Sequence, residues 1–362
     1  REETRDFEGS RYQLIHNLLY TPSQGWLLEL NFYDEESYTG PNATFVLATE
    51  QEPDGIQVQK RLSEGLTRLT KAPHTYHKTG LEAAFPFPSL SIHEEDYHPT
   101  AADIQRRKAA LQHSFERFAA VAGKFEAVFG LKLPKHIAVW HAFFHSLDPL
   151  EKAGVEYVGR TPAGYMLWFA EDGLQRIPRD GLDERMHWRF RADPPEFVSI
   201  AHGNSDGLHF GLWYDDPAEL PVCIASNYAR DDAETSLREQ TMLQTLQLDM
   251  EDIRNDSGDP PFAHQAAALA ALRWFMTPDA QAAAELAGHP YAQAERHYVT
   301  GGILPVIPPD SGNSRTNRDQ VDERYELVRA DHPTVSDLVA KARAELADGK
   351  PAFALVLGRE LH

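Results

Sequence analysis

Strand-like and helix-like patterns occupy separate parts of this chain. Residues 11–72 contain runs in which apolar and polar residues alternate, namely WLLELNFY, ATFVLAT and GIQVQKRL, separated by turn residues such as TGPN and EPDG. From residue 100 onward, long runs have apolar residues at steps of three and four, which is the period of an amphipathic helix. Strand and helix do not alternate in βαβ order, so the sequence predicts an α+β fold.

The same patterns divide the chain into three parts. Residues 1–83 predict a small β-rich module that ends in a short helix, LSEGLTRLT. Residues 84–99 contain three prolines and no periodicity, which is typical of a linker. Residues 100–362 predict a larger mixed α/β domain with a helical C-terminal part. With 362 residues, 42% of them hydrophobic, the chain is long enough to bury two cores.

A long helix is predicted to begin at residue 100. Thr100 and Asp103 have the spacing of a capping box, and Gly130 supplies the residue that ends a helix in the left-handed conformation. Between them lies a predicted apolar stripe, formed by Ile104, Leu111, Phe115, Phe118, Ala122, Phe125 and Phe129. A second helix is predicted from Pro134, which suits a first helical turn.

The rest of the chain mixes short strands with helices. We predict strands at YVGR, GYMLWFA and GGILPVI, and a hairpin formed by EFVSIAH and LHFGLWYD around the turn GNSDG. An Ala-rich helical segment, 262–287, is expected to divide at Thr277-Pro278, because proline fits only the first turn of a helix. After a polar loop, PPDSGNSRTNRDQ, a helix is predicted over TVSDLVAKARAELAD, ending at Gly349. A last helix follows in PAFALVLGRELH, which has no cap at its end, so we expect the natural fold to continue.

Composition limits the classes of function. The formal net charge is −20, from 35 basic and 55 acidic residues, whereas nucleic-acid backbones are bound mainly by clustered Lys and Arg. We therefore expect no direct binding of nucleic acid. The sequence has no run of eighteen apolar residues, so it predicts no membrane span. Its first residues do not resemble a signal peptide. A single cysteine, Cys223, excludes an internal disulfide, so a cytoplasmic location is expected, or a nuclear one if the source is eukaryotic.

His202, Asp206 and His209 are candidate metal ligands, since imidazole and carboxylate groups suit zinc or iron. Alternation along a strand argues against such a site, because it puts His209 on the face of Gly211 and Trp213 while the neighbouring apolar residues take the core side. We therefore favour the hairpin and expect no metal.

Other motifs for independent chemistry are missing. His141 and His145 have helical spacing without the glutamate of a zinc protease, and Cys223 lies in an apolar run that is typical of an inert thiol. The sequence contains no phosphate-binding loop and no GxSxG nucleophile motif. The residues alone therefore indicate an acidic α+β protein with no self-contained active site.

HWRFRADPPEF, followed by HFGLWYDDPAELPVCIASN, resembles the core of the histone PARylation factor family. LPKHIAVWHAFFHSLDP upstream, TGGILPVIPPDSGNSR downstream and the late LVLGRELH are similar to other family segments and occur in the same order. The resemblance extends over roughly residues 110–362 and is strongest at 187–227. Members of this family are accessory factors of poly(ADP-ribose) polymerases, and the resemblance implies that role here.

The resemblance also implies site residues. The family inserts a carboxylate into the transferase's active site, where it deprotonates a serine hydroxyl. That carboxylate, a glutamate in the family, aligns with Asp348; a second family acid falls on Ala347, and Glu345 lies one helical turn earlier. The family's partner-binding arginine aligns with Arg315, and Ser314 takes the place of the tyrosine before it.

We therefore predict an accessory factor that supplies a general base to a partner transferase and directs ADP-ribosylation to serine, as in the DNA damage response. It would bind no cofactor itself, since the partner uses NAD. Two alternatives stay open. One is an immunity-type binding module that inhibits an ADP-ribosyltransferase, and the other is a stand-alone metal-dependent hydrolase that uses His202 and His209.

Overall fold

The structure is a computed structural model of the 362-residue chain. It describes the backbone of residues 2–7, 10–21, 25–34 and 43–49, and it describes residues 99–190, 193–231, 233–257 and 263–361. Contacts group the chain into two compact units. The first contains Arg1–Ala109, His145–Tyr157 and Glu251–Trp274, and the second contains Ala110–Phe144, Val158–Met250 and Phe275–His362.

The first unit contains a four-stranded antiparallel sheet in the order β1-β2-β3-β4, with bounds Glu2–Phe7, Ser10–Thr21, Gly25–Asp34 and Ala43–Thr49. The strand predictions for WLLELNFY and ATFVLAT are confirmed by β3 and β4. GIQVQKRL, the short helix LSEGLTRLT and most of the linker lie outside the described residues. The predicted boundaries at 83 and 99 therefore stay predictions.

The larger part of the chain contains eight helices and seven strands among its described residues. The helices are α1 (Ala101–Phe129), α2 (His136–Ser146), α3 (Pro149–Val158), α4 (Met242–Ser257), α5 (Ala263–Ala283), α6 (Arg318–Arg329), α7 (Thr334–Ala347) and α8 (Ala352–Glu360). The strands are β5 (Thr161–Pro162), β6 (Phe197–His202), β7 (Leu208–Trp213), β8 (Cys223–Tyr228), β9 (Thr235–Leu237), β10 (Tyr298–Val299) and β11 (Gly302–Ile303). This combination of helices with a mixed sheet confirms the predicted α+β class.

The seven strands form one sheet in the order β10-β11-β9-β8-β7-β6-β5. All neighbours are antiparallel except β9 and β11, which are parallel. The predicted hairpin is confirmed, because β6 pairs with β7 and the turn between them has positive φ at Asp206 and Gly207. All six residues of β7 are buried, so the expectation that only one face of this strand meets the core is wrong.

Helix α1 begins and ends as predicted. Thr100 and Asp103 form the reciprocal bonds of a capping box, and Gly130 has a φ of 68°. The buried face differs from the predicted stripe, however: Phe115 is 39% exposed, whereas the side chains of Arg107 and Ser114 are buried. Arg107 pairs with Glu151 through one of its nitrogens, and Ser114 contacts His141, which a purely apolar pattern does not detect.

The first unit keeps several charges out of solvent. Arg107 donates to Glu151 across 2.7 Å with both side chains fully buried, and Arg106 donates to the other oxygen of Glu151 across 2.8 Å. Glu151 and Asp148 in turn cap each other's backbone N–H groups at the start of α3. One carboxylate thus joins α1 to α3.

Two strand predictions are wrong. The YVGR segment begins in the last residues of α3, and GYMLWFA forms the 3₁₀ helix Gly164–Phe169. Five of the six residues in that helix are buried, and a short run that is buried all round lacks the periodicity that separates helix from strand. GGILPVI does contain the two-residue strand β11.

The helix predictions were also incomplete. Helix α5 runs through Pro278 without dividing, because Phe275 and Asp279 are buried on either side of the proline and packing outweighs the lost hydrogen bond. Helices α4 and α6 were missed, and α6 begins inside the predicted polar loop, where Asn317 caps it. The predicted end of α7 at Gly349 is confirmed, with a φ of 77°. No helix in the described parts of the chain is long and apolar enough to cross a membrane.

A buried acid predicts how stability depends on pH. Burial raises the pKa of Asp279 to about 7, although Thr241 donates a hydrogen bond to its carboxylate. The folded state therefore holds this proton more tightly than the unfolded chain, and stability falls as the pH rises from the ordinary carboxyl range towards 7. We expect the free energy of unfolding to fall by about 2–3 kcal/mol more between pH 5 and pH 8 in the parent chain than in Asp279→Asn. Urea denaturation at both pH values measures this difference, and parallel pH profiles for the two proteins would contradict it.

Candidate functional site

The three site residues predicted from the sequence lie in the C-terminal helical part of the second unit. Arg315 is in the loop that precedes α6, whereas Glu345 and Asp348 are in the last turn and at the C-cap of α7. The structure brings Arg315 and Glu345 into direct contact. It places Asp348 three residues further along, on an exposed helix end.

Arg315 and Glu345 form a two-point ion pair. Arg315 Nη1 donates to Glu345 Oε2 across 3.1 Å, and Nη2 donates to Oε1 across 2.5 Å. The side chains are 17% and 24% exposed, so the pair is partly shielded from water. These hydrogen bonds lower the pKa of Glu345, and the positive charges of Arg315, Lys341 and Lys350 lower it further. Glu345 is consequently held as an anion with both oxygens occupied.

The guanidinium of Arg315 is also stacked on an aromatic ring. Its Cζ lies 3.9 Å from the ring centroid of Phe353, a fully buried residue of α8. The other arginine near this ring, Arg324 of α6, lies 5.9 Å from the centroid and pairs with Glu360 across 2.5 and 2.7 Å. Planar guanidinium groups favour such stacking, so Phe353 orients both arginines.

The backbone of Arg315 is strained. Its φ is 57°, in the left-handed region that residues with a side chain rarely adopt. A hydrogen bond from its N–H to Asn313 Oδ1, 2.9 Å long, stabilises this turn. Strained backbone of this kind occurs often at functional sites, since the surrounding contacts must hold it in place.

A capping motif fixes Asp348 at the end of α7. Gly349 N–H donates to Leu346 O across 3.0 Å, and Lys350 N–H donates to Glu345 O across 2.9 Å, which is the bonding pattern of a Schellman motif. Asp348 therefore has a defined backbone position. Its side chain is exposed, and no hydrogen bond or ion pair of its carboxylate is found among the described residues. It is the exposed carboxylate of the site.

Phe353 and Asn313 were not predicted to belong to the site. Phe353 reads as an ordinary core residue of an apolar helix, and nothing in the sequence places Arg315 or Arg324 on its ring. Asn313 could be predicted from the sequence, because an asparagine side chain often accepts a hydrogen bond from the backbone N–H two residues further along.

The candidate metal ligands do not converge. His209 is fully buried, and its Nε2 lies 2.7 Å from Asp193 Oδ1 while its Nδ1 lies 2.8 Å from Gly207 O. Both ring nitrogens are thus occupied, and Asp206 is exposed in the turn. Among the residues that the structure describes, no group of three or more His, Cys, Asp or Glu side chains is placed to hold a metal ion.

The other candidates for chemistry have structural partners. His141 Nδ1 lies 2.8 Å from Ser114 Oγ, and its ring stacks on Phe169 at 4.8 Å. Desolvation raises the pKa of the Cys223 thiol to about 12, so it stays protonated, as predicted for an inert cysteine.

Comparison with known proteins identifies the central part of the chain. Residues 124–274 match the family model of histone PARylation factor 1. This part of the chain is similar to the histone PARylation factor family. The matched segment includes the stretch at 187–227, where the sequence resemblance is strongest.

Individual relatives agree with this assignment. The chain is 34% identical to mouse histone PARylation factor 1 over 113 residues, which cover 29% of this chain and 31% of the mouse protein. It is 33% identical to the cattle protein over 115 residues, with the same coverage, and 48% identical to the zebrafish protein over 46 residues, or 12% of this chain and 13% of that protein. The chain thus matches about a third of the length of these mammalian relatives. Arg315, Glu345 and Asp348 lie C-terminal to the matched segment.

A titration tests whether Arg315 lowers the pKa of Glu345. Removing the guanidinium in Arg315→Ala removes the hydrogen bonds that lower the pKa of Glu345, so we expect that pKa to rise towards the usual range for glutamate. Carbon-13 NMR of the side-chain carboxyl groups measures the change, with Glu345→Gln to assign the signal. Arg343→Ala, which removes an exposed arginine of the same helix, is the matched control. An unchanged Glu345 pKa in Arg315→Ala would show that the ion pair does not persist in solution.

The buried pair predicts a large effect on stability. Arg324→Ala leaves Glu360 buried without its partner, and breaking such a pair costs about 3–5 kcal/mol of unfolding free energy. Arg329→Ala on the same helix removes a side chain that is 68% exposed and should cost less than about 1 kcal/mol. Chemical denaturation measures both values, and equal losses would contradict the assignment of a buried pair.

Proposed function

We propose that this chain is an accessory factor that binds an ADP-ribosyltransferase of the poly(ADP-ribose) polymerase type and adds a carboxylate base to its active site. Two observations support the proposal: the match of residues 124–274 to the family model of histone PARylation factor 1, and the pairing of Arg315 with Glu345 beside the exposed Asp348. The second observation carries the proposed mechanism, because Glu345 is paired with Arg315 while Asp348 is exposed to a partner.

The chemistry requires a base for serine and none for acidic targets. A serine hydroxyl is a weak nucleophile near neutral pH and must lose its proton to a group within hydrogen-bond reach as it attacks. Aspartate and glutamate side chains are already ionised. A factor that contributes a carboxylate therefore redirects a transferase from acidic residues to serine without binding NAD itself, since the partner holds NAD.

Asp348 is our first choice for this base. It is exposed at the end of α7, where a partner's substrate can reach it, and its backbone is fixed by the Schellman motif. Glu345 is less suited in the free chain, because Arg315 occupies both of its oxygens and lowers its pKa, which makes it a weaker base.

Arg315 has two compatible roles. In the free chain it binds Glu345 and fixes the loop against α7. The same planar guanidinium suits a carboxylate of the transferase. A partner carboxylate that replaced Glu345 would release Glu345 beside Asp348, so Glu345 is the second choice for the base.

The wider setting follows from the same proposal. The partners are a transferase and protein substrates with reactive serines, with no direct contact to nucleic acid or membrane. The location is cytoplasmic, or nuclear if the source is eukaryotic, and a role in the DNA damage response would follow.

Reconstitution tests the proposal directly. The chain is mixed with a cognate transferase, NAD and a serine-containing protein substrate, and modification that resists hydroxylamine is measured, since hydroxylamine releases ADP-ribose from acidic side chains. We expect Asp348→Asn to reduce serine modification by about 10²–10⁴-fold, the usual contribution of a general base. Asp337→Asn, in the first turn of the same helix, is the matched control and should retain activity.

Each other outcome has a defined meaning. A comparable loss in Glu345→Gln with activity retained in Asp348→Asn transfers the base to Glu345. Full activity in both variants overturns the proposed base. If the unmodified chain suppresses all transfer by the enzyme, the immunity-type alternative replaces the accessory role.

A further inference from the structure

A second site is formed by the segment that follows the 3₁₀ helix Gly164–Phe169. The segment folds back over this helix and encloses a cleft of about 660 Å³, a volume in the range of binding pockets. Trp168 and Trp188 contribute aromatic surfaces to the cleft, and Asp180 and Glu184 contribute carboxylates. None of these residues belongs to the site around Arg315.

Close backbone packing fixes the floor of the cleft. Gly173 is buried against the 3₁₀ helix, and a Cβ atom at this position would lie 2.2 Å from Leu167 O and 2.7 Å from Trp168 Cα. Only glycine permits this approach. The chain then continues through the 3₁₀ turn Arg179–Gly181 to the 3₁₀ turn Glu184–Met186, which precedes Trp188.

The rim of the cleft exposes large apolar side chains. Ile177, which lines the cleft, is 85% exposed, and Leu182 and Met186 in the same segment are 44% and 55% exposed. Single exposed apolar residues are common, but three within ten positions beside a cleft are typical of a surface that binds another molecule.

The chain itself shows which charge this surface accepts. Lys124 Nζ lies 4.5 Å from the ring centroid of Trp168 and 2.6 Å from Glu184 Oε1. An ammonium group is therefore already held here by an indole face and a carboxylate, the combination that recognises cations in aromatic sites.

A second carboxylate and a second indole line the same cleft. Asp180 and Trp188 both line the cleft, and no ion pair of the Asp180 carboxylate is found among the described residues. The one cationic side chain described in the lining, Arg176, lies 3.7 Å from Asp172, which offsets its charge. His187, also in the lining, packs its ring against Trp188 at 4.6 Å.

We propose that this cleft is a docking site for an extended peptide that carries a lysine or arginine side chain next to an aliphatic residue. The cationic group would lie between Trp188 and Asp180, and the aliphatic side chain would pack on Ile177. Charge complementarity supports this occupant, because the chain has a net charge of −20 and the cleft lining contains the Asp180 carboxylate together with the Trp188 indole. The inference is independent of the proposed function.

Fluorescence anisotropy with the full chain tests the proposal at low ionic strength. The probe is a fluorescein-labelled peptide, Gly-Ser-Gly-Leu-Lys-Leu-Gly-Ser-Gly, and its matched control has norleucine, an uncharged analogue of similar shape, in place of lysine. We expect the lysine peptide to bind at least tenfold more tightly. Trp188→Ala and Asp180→Asn should each weaken binding about three- to tenfold. Asparagine is chosen because Asp180 has a φ of 57°, which asparagine tolerates.

Glu171→Gln, an exposed carboxylate of the same segment outside the lining, is the matched control and should bind as the parent does. Unchanged thermal unfolding of each variant confirms that its fold is intact. Equal binding of the norleucine peptide, tighter binding of a peptide with glutamate in place of lysine, or no binding of the lysine peptide would each overturn the proposal. No transferase is present, so failure here leaves the proposed function untouched.

Discussion

Phe353 is the point on which the C-terminal helices depend. Its buried ring lies under the guanidinium groups of Arg315 and Arg324, and each arginine is joined at two points to a glutamate, Glu345 or Glu360. Burying charge is expensive, and a buried pair rarely adds much stability over an apolar replacement. Its value is geometric, because a two-point pair on a fixed ring permits one arrangement of the loop, α6, α7 and α8.

The segment that resembles the family most strongly has a different physical role. Arg189 in HWRFRADPPEF donates to the carbonyl oxygens of Asp193, Pro194 and Phe197, and thereby closes the turn that leads into β6. Asp193 then contacts His209 of β7, whose Nε2 lies 2.7 Å from Asp193 Oδ1 and whose Nδ1 lies 2.8 Å from Gly207 O. These bonds connect the two halves of the recognisable sequence and explain why it contains charged residues. It is a scaffold, and the groups suited to chemistry lie elsewhere.

Local signals were sufficient where a local bond decides the structure. The capping box at Thr100, the left-handed glycines at 130 and 349, and the GNSDG turn each depend on residues a few positions apart, and each was predicted. The prediction was wrong where burial by distant parts of the chain determines the local structure. Helix α5 passes through Pro278, and the residues of β7 are buried on both faces, because more distant segments cover them.

The candidate site shows the same division. Resemblance to the family predicts Arg315, Glu345 and Asp348 as site residues, but it treats the arginine and the carboxylates as separate features with separate roles. Their contact joins a loop to a helix thirty residues away, and the ring that aligns them comes from a third element. No pattern in a single sequence predicts such a contact, because the contact depends on how three elements pack together.

The position of Asp348 follows from this packing and carries a cost. The C-terminal end of a helix has a partial negative charge, which disfavours a carboxylate there by roughly 0.3–1 kcal/mol. Glu345, one turn earlier, avoids the cost because Arg315 neutralises it, whereas Asp348 has no such partner among the described residues. The fold thus pairs one acid and leaves its neighbour without a partner among the described residues, which is the arrangement on which the proposed base depends.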